Sequence, residues 1–170
     1  VRRLVGSEMC IRDRNIIKRN NSADAFVIAC FSDPGIYAAR EVTNKPVFGI
    51  AESGILTALS LGSSFGILAI LDTSVPRHVR YIRSLGLEKR LAGDLAIGLG
   101  VAELSDEKTT FRRLLEVGRK LRDNCESSVL ILGCAGMARY RHNLQESLGI
   151  PVVDPSQAAV SMAVSAVLLN

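Results

Sequence analysis

From residue 21 onward the chain alternates short apolar runs with longer amphipathic or polar stretches. Ala25-Phe26-Val27-Ile28-Ala29-Cys30 is apolar throughout. So are Phe65-Gly66-Ile67-Leu68-Ala69-Ile70-Leu71 and Val129-Leu130-Ile131-Leu132-Gly133. Runs this short, without polar residues at alternate positions, predict strands buried on both faces, as in a parallel sheet. Pro46 and Pro151 each open a shorter strand, and a less regular apolar stretch over 95–101 predicts another. Pro34 opens a helix to about Val42, and a helix from Glu52 ends near Gly62. Pro76 sits in the first turn of a helix that Gly86 closes. Ser105-Asp106-Glu107-Lys108 caps a helix over 106–125, with Phe111, Leu114, Leu115, Gly118 and Leu121 on one face. Helices over 137–148 and from Pro155 follow. Strands alternating with helices predict an α/β fold of parallel sheets flanked by helices.

Part of this pattern occurs twice. Cys30 ends one apolar run and leads into Phe31-Ser32-Asp33-Pro34-Gly35; Cys134 ends another and leads into Ala135-Gly136-Met137. A helix, a Pro-Val strand and a second helix follow each. The copies lie about 100 positions apart, beyond the short repeats of solenoids. They predict two pseudo-symmetric lobes with the active site in the cleft between them. Residues 15–62 form lobe one and 63–170 lobe two, with the last helix able to pack back on lobe one. Lobe two opens with strand 65–71 and the polar turn Asp72-Thr73-Ser74. Nothing before residue 21 matches these, so lobe one is expected to lack its first strand.

Composition narrows the function. Hydrophobic residues make up 48% and charged residues 22%, enough for a real core. No apolar run approaches the roughly 18 residues of a membrane span, so no membrane partner is expected. The net charge of +4 comes from Arg2, Arg3, Arg12, Arg14, Lys18 and Arg19 near the start, offset in part by Glu8 and Asp13. The rest is balanced, so the fold has no basic face for nucleic acid. Residues 1–14 lack helical or strand periodicity and the apolar core of a signal peptide. Val5-Gly6-Ser7-Glu8-Met9-Cys10-Ile11-Arg12-Asp13-Arg14 resembles translated adaptor DNA, so residues 1–14 and Cys10 are read as non-native. The four cysteines form no CxxC pair, and His78 and His142 are the only histidines. Neither a zinc site nor a disulfide framework is expected, and a reducing, cytoplasmic location fits. His78 and His142 read as surface residues of charged helices, and Cys125 as structural.

Candidate chemistry follows from the repeated cysteines. A thiol just past a parallel strand stands at the sheet edge where α/β folds bind ligands, and a helix amino end there lowers its pKa. Two such thiols suggest facing acid/base groups. Taken singly, each reads first as a buried structural cysteine; the repeated context reverses this and favours activity. Thr73 and Ser74 read as helix caps or ligand contacts, Glu52 as a first-turn carboxylate, and Asp33-Pro34-Gly35 as turn chemistry.

In order, Ala29-Cys30-Phe31-Ser32-Asp33-Pro34-Gly35, Pro46-Val47-Phe48-Gly49-Ile50-Ala51-Glu52, Leu71-Asp72-Thr73-Ser74-Val75-Pro76, Leu132-Gly133-Cys134-Ala135-Gly136-Met137 and Pro151-Val152-Val153-Asp154-Pro155 form a set. Over residues 21–170 this set resembles the hydantoin racemase branch of the aspartate/glutamate racemase superfamily. The cysteine turns favour hydantoin and allantoin racemases; amino-acid racemases usually carry Cys-Asn or Cys-Thr there. The resemblance implies two α/β lobes and a cofactor-independent isomerase without a metal. It implies that Cys30 and Cys134 invert C5 of a hydantoin, one as thiolate base and the other as thiol acid. It also implies donors for an enolate-like intermediate: the N–H groups of Phe31, Ser32, Ala135 and Gly136 and the hydroxyls of Thr73 and Ser74. Gly49, Ile50 and Glu52 would line the cleft floor. The family's Asn-Pro-Asn-type first turn has no counterpart in residues 1–20. A small-molecule substrate and a homo-oligomer are expected, the latter through the apolar last helix with Val160, Met162, Val164 and Val167. The alternatives are an acidic-amino-acid racemase, a maleate isomerase, and an inactive fragment that only binds a small ligand. An acidic substrate calls for a cation in the cleft, and Arg139 is the only base near either cysteine turn. A thiol-redox role is disfavoured, since no resolving cysteine lies near either candidate.

Overall fold

The computed structural model describes the backbone of residues 2–169 and the side chains of residues 11–169, so the Cys10 side chain lies outside the described residues. Six strands form two sheets, and every pairing is parallel. β1 (Phe26–Ile28) pairs with β2 (Val47–Gly49). The second sheet has the order β4-β3-β5-β6, built from β3 (Phe65–Ala69), β4 (Leu91–Ala96), β5 (Val129–Leu132) and β6 (Val152–Val153). The helices are α1 (Arg2–Arg19), α2 (Ile36–Arg40), α3 (Ile50–Leu61), α4 (Val75–Ser84), α5 (Glu107–Asp123), α6 (Arg141–Leu148) and α7 (Pro155–Leu168).

Two of the three uniformly apolar runs are central strands; the third, β1, expected to be buried on both faces, is only half-buried because its sheet has just two strands. β3 and β5 are buried along their whole length. Alternate residues feed two cores, as the pleat requires. Phe65, Ile67, Val129 and Ile131 pack with Ile55 of α3, Ile82 of α4 and Ala159 of α7. Leu68, Leu130 and Leu132 pack with Leu114 and Leu121 of α5 and Leu144 of α6. At the carboxyl end of β5, the Gly133 N–H donates to the Leu68 carbonyl at 2.9 Å. A Cβ on Gly133 would stand 2.7 Å from that oxygen. Glycine thus lets the strand ends of β3 and β5 close together just before Cys134.

The repeat is visible in the helices. α3 follows β2 and α7 follows β6, and the two pack against each other. A Cβ on Gly54 of α3 would reach 3.0 Å from Pro155 Cβ of α7. α7 also lies against β1 and β2. The two helix starts are capped differently. Asp154 caps α7 locally, accepting from the Ser156 N–H at 2.9 Å. The corresponding position before α3 is Gly49, which has no side chain to offer. Asp33 reaches across instead, accepting from the N–H groups of Ala51 and Glu52 at 2.8 Å each.

Gly49 is needed for that reach, because a Cβ there would collide with the Asp33 carboxyl. Gly49→Ala is therefore expected to destabilise the protein by about 2–4 kcal/mol, overpacking combined with a lost cap. Chemical denaturation checks this; an unchanged midpoint would show that the carboxyl can move aside without cost.

Two sequence expectations are corrected here. The segment read as lacking helical periodicity is helical, as α1. It is rich in good helix formers, and of its described side chains Ile17 is buried with Ile36, Ala39 and Val47, while Ile11 and Ile16 are exposed. The strand expected over 95–101 is β4, at Leu91–Ala96. Gly93 and Asp94 break its apolar pattern; Gly93 admits the side chains of Leu121 and Cys125, and Asp94 is matched inside the fold.

Candidate active site

After β1 the chain turns sharply, with the Asp33 N–H donating to the Cys30 carbonyl at 3.0 Å. Ser32 and Asp33 adopt φ values of 84° and 49°, a left-handed backbone uncommon outside glycine. Asp33 anchors the turn. It is 2% exposed and accepts from the Tyr81 hydroxyl at 2.9 Å as well as from the two α3 amides. Burial pushes its pKa up, and these three donors pull it back. Phe31 is buried in the core. The Ser32 hydroxyl is buried without a hydrogen-bond partner among the described residues.

After β5, Cys134 opens a 3-10 segment, Ala135–Tyr140, and its carbonyl accepts from the Met137 N–H at 3.1 Å. Gly136 lies beside the Cys134 sulfur and the Leu104 side chain. The amides of Ala135 and Gly136 stand in the first turn of this segment, where amides have no partner within the helix.

The two cysteine turns lie on the same side of one core. Ala135 packs against the core cluster that contains Phe31, and Cys134 acts electrostatically on Cys30. Cys30 is exposed, yet the surrounding protein pushes its thiol above the ordinary value. Burial is the largest cause; Arg77 pulls the value down, and Cys134 and Asp33 push it up. The expected lowering by a helix amino end is thus corrected. α2 begins only at Ile36, six residues after Cys30, and a helix dipole falls off within the first turn.

The remaining expected residues fall in different places. The turn Asp72–Ser74 carries the chain from the edge of β3 into α4. Thr73 is exposed there and Ser74 is buried. Ser74 occupies the N-cap position of α4 without a capping side-chain hydrogen bond. Glu52 is engaged by Arg40 at 2.6 Å. Gly49 lies under the Asp33 carboxyl, and Ile50 is wholly within the core.

Three residues near Cys30 escaped the sequence reading. Arg77 supplies a cation to Cys30, although it lies far from the cysteine along the chain. Tyr81 binds Asp33. His78, expected at the surface, is 1% exposed; its Nδ1 pairs with Asp94 Oδ2 at 2.9 Å. His142 is exposed as expected. Arg139, the base nearest a cysteine turn in sequence, is tied to Glu107 at 3.0 Å.

Shape alone does not mark this site. A groove of about 580 Å³ runs between α3, α6, α7 and β6, lined by Phe48, Asp154, Gln157 and Met162 among others, and contains neither cysteine. Among the described residues no group of three or more His, Cys, Asp or Glu side chains could hold a metal ion. No helix among them is long and apolar enough to cross a membrane.

Residues 13–163 match the family profile described as Asp/Glu/Hydantoin racemase. The hydantoin racemase of Pseudomonas sp. (strain NS671) is 38% identical over 141 residues, covering 82% of this chain and 57% of that protein. The hydantoin racemase of Paenarthrobacter aurescens is 37% identical over 155 residues, 90% of this chain and 65% of that protein. The crystal structure of allantoin racemase from Pseudomonas fluorescens superimposes with a TM-score of 0.83 at 32% identity, covering 86% of this chain and 63% of that one. The chain therefore spans less than two thirds of the length of these relatives.

Proposed function

The chain belongs to the Asp/Glu/hydantoin racemase family, and on that premise we propose that it inverts the C5 stereocentre of a 5-substituted hydantoin or of allantoin. What supports this reading is that Cys30 and Cys134 are free thiols at repeated strand ends, near enough for Cys134 to act electrostatically on Cys30. Inversion needs a base on one face of the carbon and an acid on the other. One thiolate takes the C5 proton, and the C–H electron pair moves into the adjacent carbonyl as an enolate. The opposite thiol then gives its proton to C5, leaving the charge on the second sulfur. No redox change occurs, and no cofactor is required. The enolate oxygen needs preorganised donors. The amides of Phe31, Ser32, Ala135 and Gly136 and the hydroxyls of Ser32, Thr73 and Ser74 are the candidates. Gly49 and Glu52 support the floor through the Asp33 cap, and Ile50 through the core.

The test follows an enantiopure 5-substituted hydantoin in D2O, recording optical rotation and C5 deuterium exchange together. Loss of rotation with exchange supports the proposal. Exchange without inversion would leave a single working thiol and defeat the two-base reading.

Arg77 brings a pH prediction. A cation favours the thiolate, so removing it raises the Cys30 pKa further above the ordinary 9.0. In Arg77→Gln the alkaline rise of Cys30 alkylation is expected at higher pH, with the rate at neutral pH down by about threefold to tenfold. Peptide-resolved iodoacetamide labelling across pH measures it. An unmoved profile would show that Arg77 does not bias the thiol.

Arg77 also favours a second reading, racemisation of a substrate bearing a carboxylate. Comparing a carboxylate-bearing with a neutral hydantoin in wild type and Arg77→Gln separates the two: a cation that binds substrate raises KM for the anionic compound alone when removed.

The domain and assembly readings are also proposals. A boundary near residue 62 divides the lobes, with α7 shared between them. α7 buries Ala158, Ala159 and Ala163 and leaves Val160, Val164 and Val167 exposed, an apolar strip suited to a second copy; light scattering reads the mass. The free thiols of Cys30, Cys125 and Cys134 suit a reducing cytoplasm.

A further inference from the structure

The structure holds a buried ionisable pair that the proton transfer does not use. His78 on α4 and Asp94 on β4 have side chains 1% and 2% exposed. His78 Nδ1 lies 2.9 Å from Asp94 Oδ2, so with the carboxylate as acceptor Nδ1 is the ring's donor. Asp94 Oδ1 has no hydrogen-bond partner among the described residues. Removing such a pair from water commonly costs more than its mutual attraction returns, and apolar side chains of similar volume are often at least as stable. Stability alone therefore gives a poor account of it.

Its neighbours suggest another role. The imidazole meets the Phe31 ring edge to face, with centroids 4.9 Å apart and planes at 75°, and Phe31 directly follows Cys30. About one turn along the same helix, Tyr81 donates to Asp33 at 2.9 Å. His78 and Tyr81 are three residues apart and share a helix face. They grip the residues on either side of Ser32, whose φ of 84° is one that only a surrounding structure maintains.

We infer that the His78–Asp94 pair is a positioning element for Cys30, acting through Phe31. The carboxylate fixes the rotation of the imidazole, the imidazole fixes the Phe31 ring, and Phe31 sets the direction of the adjoining thiol. Neither His78 nor Asp94 touches the reacting atoms. The inference rests on the reading of Cys30 as a catalytic thiol, but its test does not require turnover.

The experiment measures iodoacetamide labelling rates of Cys30 and Cys134 separately by peptide mass spectrometry, in the full chain and its variants. In His78→Ala the Cys30 rate is expected to change at least about fivefold while that of Cys134 stays within about twofold; kcat on a hydantoin falls about tenfold with little change in KM, as for a misdirected rather than an unbound group. Asp94→Asn retains an oxygen that accepts from Nδ1–H and is expected to shift both readouts less than His78→Ala. Should His78→Ala fail to fold, the double variant His78→Phe/Asp94→Leu keeps a ring beside Phe31 and lacks the orienting hydrogen bond; its Cys30 rate is expected to depart from wild type. An unchanged Cys30 rate in a folded variant overturns the inference. So does an equal change at both cysteines, or an Asp94→Asn as damaging as His78→Ala. A wild-type chain that racemises nothing would remove the proposed activity and leave the labelling comparison standing.

Discussion

Serine at position 30 or 134 is expected to abolish racemisation, lowering the rate by about a thousandfold or more while the fold persists. General acid–base catalysis by one positioned group contributes roughly 10²–10⁴-fold, and a serine hydroxyl is far too weak an acid to replace a thiol at neutral pH. Each variant removes the proton-transfer group from one face only. Cys30→Ser and Cys134→Ser are therefore expected to differ in their residual exchange of the two enantiomers, each retaining some wash-in of deuterium for the hand whose proton faces the surviving thiol. Optical rotation and C5 deuterium content, followed together for each pure enantiomer, separate the two defects. Rotation lost within about twofold of the wild-type rate in either variant would remove that cysteine from the mechanism.

The second large effect is on stability. Asp33→Ala leaves the amides of Ala51 and Glu52 and the Tyr81 hydroxyl without the acceptor that now takes all three. Buried groups deprived of a partner bear their full desolvation penalty, and a lost helix cap adds to it. The expected loss is about 3–5 kcal/mol, roughly 10 °C in Tm for a chain of this size. Asp33→Asn keeps one acceptor oxygen but turns an NH2 toward donors, so it is expected to fall between. Thermal unfolding followed by circular dichroism measures the series. An Asp33→Ala variant melting with the wild type would mean that water or another side chain takes over the cap. Because Asp33 follows Cys30 by three positions, the same substitution should also release the cysteine turn and depress activity well below the melting transition.

The sequence was informative where chemistry is local. The uniformly apolar strands β3 and β5 and the turns at their carboxyl ends could be read from neighbouring residues. It was uninformative where one residue is completed by another far along the chain. Asp33 looks like a turn residue because its helix starts after Gly49. The available signal was a helix opening on glycine, with no Ser, Thr, Asp or Asn to cap it. His78 looks like a surface residue because Arg77, Arg80 and Arg83 surround it in sequence. Its spacing from Ile82, which places both on one face of α4, was the better guide, since Ile82 is buried with it. Asp94 interrupts β4 and hides the strand, and only His78 explains why a carboxylate stands there. Arg77 acts on Cys30 electrostatically from α4, a placement that no spacing along the chain encodes.

The packing of α3 against α7 also bears on how the protein is made. α3 emerges from the ribosome long before the helix that covers it, and until then Ala51, Ile55 and Ala58 have no complete shelter. Parallel sheets closed by such distant contacts form slowly, and nascent chains with exposed apolar faces are prone to associate wrongly. Yield in the cell should thus depend on how quickly synthesis passes Pro155. Chaperones that shield the early segment should raise soluble expression more than any change to the finished surface.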